Sequence, residues 1–438
     1  MNLRYFGTDG IRGKALISPL TLQEATRWGA AWSQVGRLQG IHQLFIGWDP
    51  RTSSAPLYHA FRTGVGQGLD VICLGMVPTP AVAWTVAEAT KNGTPSWGLM
   101  ISASHNPPED NGLKGFDGLG EKLSEALETA IEETFEALQE PTTVLVDTVH
   151  GGIEPYLSHL GTLNFPAEFP VVVDCAHGAT APWAPQVLTG EGITWLGVPA
   201  DGERINVGVG STHLEALRAK VLSTGAILGV AFDGDGDRCL LIDGRGTLVD
   251  GDQMLWLLAQ ERLRLADDIP GVIGTLMTNG GLEHALEGAG IPFRRTPVGD
   301  KFLLRELREQ SWDLAAEASG HVIQKRLGPS GDGLATALSI LKALMAKPVE
   351  DRWSWQFHAW PLRLVNLVAR ERRPIGQCPR LLKAIEGLES SHGDNLRLVI
   401  RWSGTEPKLR LMGEARDEGV LQEAILQLEA AAKMDLGL

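Results

Sequence analysis

The feature that most constrains this chain is a recurring unit: a short apolar run, a loop rich in glycine, serine, asparagine or aspartate, then a stretch of helical periodicity. Strands alternating with helices imply βαβ units and a largely parallel, helix-covered sheet. The apolar runs lie at Ile41 to Gly47, Asp70 to Leu74, Trp97 to Met100, Val171 to Asp174, Gly192 to Gly197, Ala226 to Phe232, Gly271 to Met277 and Asp313 to Ala316, and Leu396 to Ile400 opens the last segment. Leu20 to Leu38 reads as a helix, and so does the stretch carrying Leu127, Ile131, Phe135 and Leu138, whose spacing makes one buried stripe with the intervening glutamates on a solvated face. Pro78-Thr79-Pro80 reads as a turn. At 438 residues the chain is too long for one ordinary core and points to about two to four domains. Pro141 to Pro155 and Lys347 to Trp360 look like boundaries.

With 43% hydrophobic and 21% charged residues, the composition is that of a soluble globular protein. A net charge of -14 argues against nonspecific nucleic-acid binding, which needs a basic footprint. It also requires any anionic substrate to find a locally basic pocket. Cys73, Cys175, Cys239 and Cys378 are far apart, with no CxxC pair and no zinc spacing, as expected of reduced, buried thiols in the cytoplasm. Glycine and Asp9 follow Met1 too soon for a secretory apolar region, and no run approaches the roughly 18 apolar residues of a spanning helix. Neither export nor membrane insertion is expected.

Five loops carry groups suited to chemistry. Ile101-Ser102-Ala103-Ser104-His105-Asn106-Pro107 follows a buried apolar run, which puts Ser104 at a strand end, where function collects in parallel sheets. A serine hydroxyl is a poor nucleophile alone and needs a metal, cations or a phosphate nearby. Phe6 to Lys14 is a glycine-punctuated loop with Asp9, Arg12 and Lys14, either an ordinary turn or an approach to an anion. It is no Walker A loop, because Thr8 stands where the first glycine belongs and Ala15 where the Ser/Thr belongs. Asp233-Gly234-Asp235-Gly236-Asp237-Arg238 sets three carboxylates at spacing two, converging on one side of an extended segment. Their repulsion calls for a divalent cation, with hard oxygen ligands pointing to magnesium ahead of calcium or manganese, and the other reading is a solvated acidic turn. An EF-hand is excluded by Arg238 at the glycine position, Gly244 at the bidentate glutamate position and flanking apolar strands. Glu317-Ala318-Ser319-Gly320-His321 offers a carboxylate, a hydroxyl and an imidazole suited to sugar hydroxyls, or a plain polar loop. Arg401-Trp402-Ser403-Gly404-Thr405-Glu406-Pro407, with Arg410 beyond it, has the composition of a phosphate cradle, or is a plain Ser-Gly-Thr turn flanked by surface arginines.

In this order, the loops Ser102 to Pro107, Asp233 to Arg238, Glu317 to His321 and Arg401 to Pro407 resemble those of the α-D-phosphohexomutase superfamily over essentially the whole chain. Phe6 to Gly13, Ala231 to Arg238, Val249 to Gln253 and Gly274 to Met277 are similar to its bacterial glucosamine-phosphate branch. The resemblance implies four domains round a central cleft: three mixed α/β sandwich domains, at residues 1–150, 151–252 and 253–360, and a smaller α+β C-terminal domain at 361–438. It implies a phosphate carried covalently on Ser104 and one Mg2+ held by Asp233, Asp235, Asp237 and the Ser104 group. It assigns the substrate phosphate to Arg401, Ser403, Gly404, Thr405 and Arg410, and the sugar hydroxyls to Glu317 and Ser319. Lys114 becomes the proton carrier, with its pKa lowered by neighbouring cations, while Arg12 and His105 orient the phosphate and His321 assists.

The implied reaction interconverts glucosamine 6-phosphate and glucosamine 1-phosphate through a hexosamine 1,6-bisphosphate, which also serves as activator, and it would feed UDP-N-acetylglucosamine and cell-wall precursor synthesis. A phosphoglucomutase or phosphomannomutase with the same machinery is the alternative. A noncatalytic sugar-phosphate sensor would lack Ser104 or the acidic triad, and both are intact. The partners expected are small sugar phosphates, with no nucleic acid and no membrane, for a cytoplasmic monomer or homodimer. Ala318, His177, Trp402 and Lys301 depart from the branch's usual residues and leave these groups untouched.

Overall fold

The computed structural model describes residues 3–139, 149–163, 169–348, 351–403 and 407–438. The chain forms two compact units, Met1–Thr275 with Thr296–Trp355, and Leu276–Arg295 with Gln356–Leu438. Three sheets have strands in the first unit. Its largest has Ser96–Ile101 near the centre, parallel to Gln43–Trp48 on one side and antiparallel to Asp110–Phe116 on the other. Every residue of Ser96–Ile101 is buried, as expected of a strand covered on both faces.

Helices Leu22–Leu38 and Ser54–Val65 cover this sheet together. They cross so closely that a Cβ on Gly29 would stand 1.9 Å from the Phe61 carbonyl oxygen, and one on Gly64 would stand 1.8 Å from that of Thr26. A capping box at Thr21 and Glu24 starts the first helix. Trp28 stacks on Phe135 at 3.6 Å between ring centroids, tying in helix Glu125–Ala137. Two glutamates of that last helix depart from the expected solvated face. Glu132 is buried and accepts the backbone N–H groups of Arg4, Tyr5 and Phe6 at 2.9, 2.6 and 2.7 Å, so it holds the N-terminal segment against the sheet. Glu128 is buried as well, with its carboxyl pushed up to about 7 chiefly by burial.

Two further expectations are corrected in this domain. Phe6 to Lys14 is not a free loop: Phe6–Gly7 and Gly10–Lys14 are strands, the second paired antiparallel with Asp110–Phe116. Pro78-Thr79-Pro80 is not a turn but the start of helix Thr79–Lys91, with proline in its first turn, where a missing N–H costs nothing.

The second sheet sets Leu228–Phe232 parallel to Val171–Asp174 and antiparallel to Cys239–Asp243. Phe232 pairs with Cys239, so the acidic segment Asp233 to Arg238 is the tip of a hairpin. The third sheet sets Val272–Thr275 parallel to Leu314–Ala316, and Ala316 pairs with Val322 across the hairpin whose tip is Glu317 to His321. In the second unit, Leu362–Val368, Lys408–Ala415 and Leu396–Trp402 form an antiparallel sheet with the longest strand in the middle. Helices Pro379–His392 and Glu418–Leu436 bury its apolar face. Three α/β domains and a smaller α+β C-terminal domain result. Among the described residues no helix is long and apolar enough to cross a membrane.

Candidate active site

Ser104 is fully buried and takes a left-handed backbone conformation, φ +54°, which a residue other than glycine adopts only when its surroundings impose it. The imposing groups are visible. Arg51, whose side chain is wholly buried, donates to the carbonyl oxygens of Ser104 and Asn106 at 3.0 and 2.8 Å and also contacts that of Pro107. Asn206 Nδ2 donates to the first two of these at 2.9 and 3.0 Å. Asp49 fixes Arg51 at 2.9 Å and accepts from Ser102 Oγ at 2.7 Å, and that same Ser102 oxygen accepts the Ser104 N–H at 2.9 Å. Three residues outside the four loops, Asp49, Arg51 and Asn206, thus set the backbone at Ser104.

The Ser104 hydroxyl donates to Asp233 Oδ2 at 2.6 Å. Asp233, Asp235 and Asp237 are all buried, and each offers a carboxylate oxygen within 4.8 Å of the others. Burial and the charges of Asp237 and Asp235 push the Asp233 carboxyl well above its ordinary range. Burial would raise Asp237 too, but Lys114, His321 and Arg238 hold it well below. Asp235 Oδ1 and Asp237 Oδ1 are buried without a hydrogen-bond partner. Orphaned, converging hard-oxygen donors of this kind fit a divalent metal ion.

Lys114 stands in a different setting from the one expected. Its neighbours are carboxylates: Asp235 Oδ2 at 2.6 Å, Asp9 Oδ2 at 3.3 Å and Asp237 Oδ2 at 3.6 Å. Burial alone would lower its pKa, but these three charges raise it well above the ordinary lysine value, so the expected lowering by cations is overturned. Thr79 Oγ1 shares Asp235 Oδ2 at 2.6 Å.

Arg12 contacts Asp9 and donates to the Ala103 carbonyl oxygen at 3.2 Å, beside the serine loop. His105 Nδ1 lies 3.3 Å from Ser104 Oγ and 3.4 Å from an Arg238 nitrogen. Burial, Arg238 and Arg12 bring its pKa down to about 4, so the ring is neutral near pH 7. His321 is buried 3.9 Å from both Asp237 and Asp300, and although burial lowers its pKa, these carboxylates raise it overall. Glu317 accepts the Gly299 N–H at 2.9 Å and the Ser319 hydroxyl at 3.2 Å.

Ser104, Lys114, His105, Arg12, His321 and the three aspartates therefore meet in the first unit, with Glu317 and Ser319 on the His321 hairpin. The phosphate-cradle residues lie in the second unit. Arg401 and Arg410 are direct partners on adjacent strands, so their side chains share one sheet face. Among the described residues neither guanidinium has a carboxylate partner. Ser403 is buried, its N–H bonded to the Lys408 carbonyl oxygen at 2.8 Å. Gly404 and Thr405 lie outside the described residues.

Comparison with known proteins follows the same division. Family models for phosphoglucomutase/phosphomannomutase alpha/beta/alpha domains I, II and III match residues 3–142, 154–246 and 250–355, and the model for the C-terminal domain matches 364–431. The chain is 40% identical over 435 residues to the phosphoglucosamine mutase of Azotobacter vinelandii, spanning 95% of this chain and 96% of that one. It is 37% identical over 444 residues to that of Vibrio vulnificus, spanning 98% of each. A phosphoglucomutase/phosphomannomutase family protein of Burkholderia thailandensis superposes with a TM-score of 0.79 at 24% identity, covering 99% of this chain and 98% of that one. The N-acetylphosphoglucosamine mutase of Aspergillus fumigatus, solved with GlcNAc-6P and magnesium, gives 0.66 at 17% identity, covering 99% and 96%. At these identities the structural likeness is one of fold.

Proposed function

This chain belongs to the phosphoglucomutase/phosphomannomutase family, and from that membership we propose that it interconverts glucosamine 6-phosphate and glucosamine 1-phosphate, with Ser104 carrying the phosphoryl group between them. The observation that carries the reading is the 2.6 Å contact of Ser104 Oγ with Asp233, inside a cluster of three buried carboxylates. The full-length likeness to phosphoglucosamine mutases supports the sugar assignment.

In the forward half-reaction the bond between Ser104 Oγ and phosphorus breaks as a substrate hydroxyl oxygen bonds to phosphorus, and the hydroxyl proton passes to a base. The resulting hexosamine 1,6-bisphosphate turns over, its other phosphate returns to Ser104 Oγ, and a proton returns to the sugar oxygen left behind. Asp233, Asp235 and Asp237 would hold a divalent ion, magnesium by the hardness of its donors, which when bound offsets the charge on the transferring phosphoryl group. Lys114 is the proton carrier in reach of this cluster, and as the ammonium its carboxylate neighbours favour it is the donor to the sugar oxygen left behind. Its ammonium is held by Asp235 and Asp237, the same carboxylates whose unpartnered oxygens would hold the ion, and a bound cation would weaken that hold on the proton. Neutral His105 and the Arg12 guanidinium flank Ser104 and orient the phosphate. Arg401 and Arg410 grip the phosphate that is not being transferred, with bidentate geometry available to each. Glu317 and Ser319 take sugar hydroxyls.

The experiment is turnover of glucosamine, glucose and mannose 6-phosphates side by side, with the matching 1,6-bisphosphate and magnesium present. The highest kcat/KM is expected for the glucosamine substrate. A higher value for glucose or mannose would transfer the same machinery to a phosphoglucomutase or phosphomannomutase.

A further inference from the structure

We propose that Lys122 is a positioning residue for the phosphoryl transfer, clamping Asp9 and Asp300 so that Lys114 and His321 keep their places; this rests on the reaction just assigned. Lys122 Nζ lies 2.6 Å from Asp300 Oδ2 and also contacts Asp9 Oδ1. Each carboxylate faces a second group of the site: Asp9 Oδ2 stands 3.3 Å from Lys114 Nζ, and Asp300 Oδ2 stands 3.9 Å from His321 Nε2. The result is a line of alternating charge, His321, Asp300, Lys122, Asp9, Lys114. Both ends are side chains able to carry a proton, and Lys122 is the centre.

Local folding explains how it gets there. Beyond strand Asp110–Phe116 the chain turns tightly, with Asp117 accepting the backbone N–H groups of Leu119 and Glu121. An antiparallel bridge then pairs Lys122 with Phe116. Lys114 and Phe116 are two residues apart and share a strand face, and a residue bridged to Phe116 points the same way. Both lysines are therefore delivered to one face by one folded-back strand.

A purely structural role is already filled by a neighbour. Glu121, in the same turn, pairs with Lys325 at 2.6 Å and so ties this turn to the segment following the His321 hairpin. Lys122 side-chain atoms are 14% exposed, and its two carboxylates are the groups that make such burial tolerable. Without its ammonium, Asp9 would keep Arg12 and Lys114, whereas Asp300 would keep His321 and the Lys301 N–H. The loss would thus fall mainly on the Asp300 and His321 side, and displacements of about 1 Å at a reacting centre cost on the order of 100-fold in rate.

The test uses the full-length protein with magnesium and bisphosphate, on whichever hexose 6-phosphate the wild type turns over best. A wrong sugar assignment then shows in the wild type, and a wrong role for Lys122 shows only in the ratio of variant to wild type. Lys122→Met is expected to lower kcat roughly 10- to 100-fold with KM within about threefold, and to lower Tm because Asp300 loses its nearest cation. Lys122→Arg should restore most of the kcat. Adding Asp300→Asn to Lys122→Met should cost little more, because both act through one contact. A Lys122→Met kcat within about twofold of wild type, no rescue by arginine, or losses that simply multiply would overturn the assignment. If Lys122→Met does not fold, Asp300→Asn alone decides: a kcat about tenfold lower supports the clamp, and an unchanged one refutes it.

Discussion

The Ser104 cluster and the Arg401–Arg410 pair treat charge in opposite ways. Around Ser104, buried acids and bases are matched almost completely: Arg51 with Asp49, Lys114 with Asp235, Lys122 with Asp300. Among the atoms left without a hydrogen-bond partner, the two that converge are carboxylate oxygens, on Asp235 and Asp237. On the C-terminal sheet two like charges are placed directly opposite one another, which is destabilising unless something anionic arrives. The first region is prepared for a cation and the second for an anion.

Substitutions can break or sharpen this contrast, and the largest effect belongs to the nucleophile itself. Ser104→Ala should lower multiple-turnover kcat by at least about 10⁴-fold in a coupled assay, since the covalent carrier is gone. Asp235→Ala should cost roughly 10²–10³-fold and flatten the dependence of rate on magnesium concentration, and an unaltered magnesium titration would count against the ligand assignment. Arg410→Met should raise KM roughly 10- to 100-fold, from the loss of charge-assisted hydrogen bonds, with a smaller change in kcat. Equal losses in kcat and KM terms would instead place Arg410 at the transferring phosphate.

The smallest effect is on stability. Glu128 is raised to about 7 from an ordinary 4.5, chiefly by burial, so its folded form binds a proton more tightly than its unfolded form. Stability is therefore greatest below about pH 4.5 as far as this group is concerned and falls as pH rises through 7. Glu128→Gln should remove that fall and raise Tm by about 1–3 °C at pH 8, as thermal melts across the range would show.

How much of this was legible in the chain depended on whether the signal was local. Val171–Asp174 appears where its apolar run and polar punctuation put it, and Leu228–Phe232 lies within the run read from Ala226 to Phe232. Gly10–Lys14 and Asp110–Phe116 were hidden because their sequences, GIRGK and DNGLKGF, show no apolar alternation. Their β form comes from pairing with each other, and their polar side chains are spent on the site. The aspartate hairpin, the serine loop and the Arg401 strand were visible as clusters of chemistry. Asp49, Arg51 and Asn206 were not, because their role is a set of bonds to a loop 53 to 102 residues away. Lys114 was singled out in the sequence, but its electrostatics were not legible there, since only folding brings Asp9 and Asp235 to it.

The central claim is that the Ser104 oxygen receives and returns the phosphoryl group, and phosphopeptide mapping tests it most directly. Protein incubated with phosphate-labelled hexosamine 1,6-bisphosphate and magnesium is digested, and the labelled residue is identified before and after a chase with unlabelled 6-phosphate. The label is expected on the peptide containing Ser104 and should leave it during the chase. Label on another residue, or turnover that continues with none on Ser104, would contradict it.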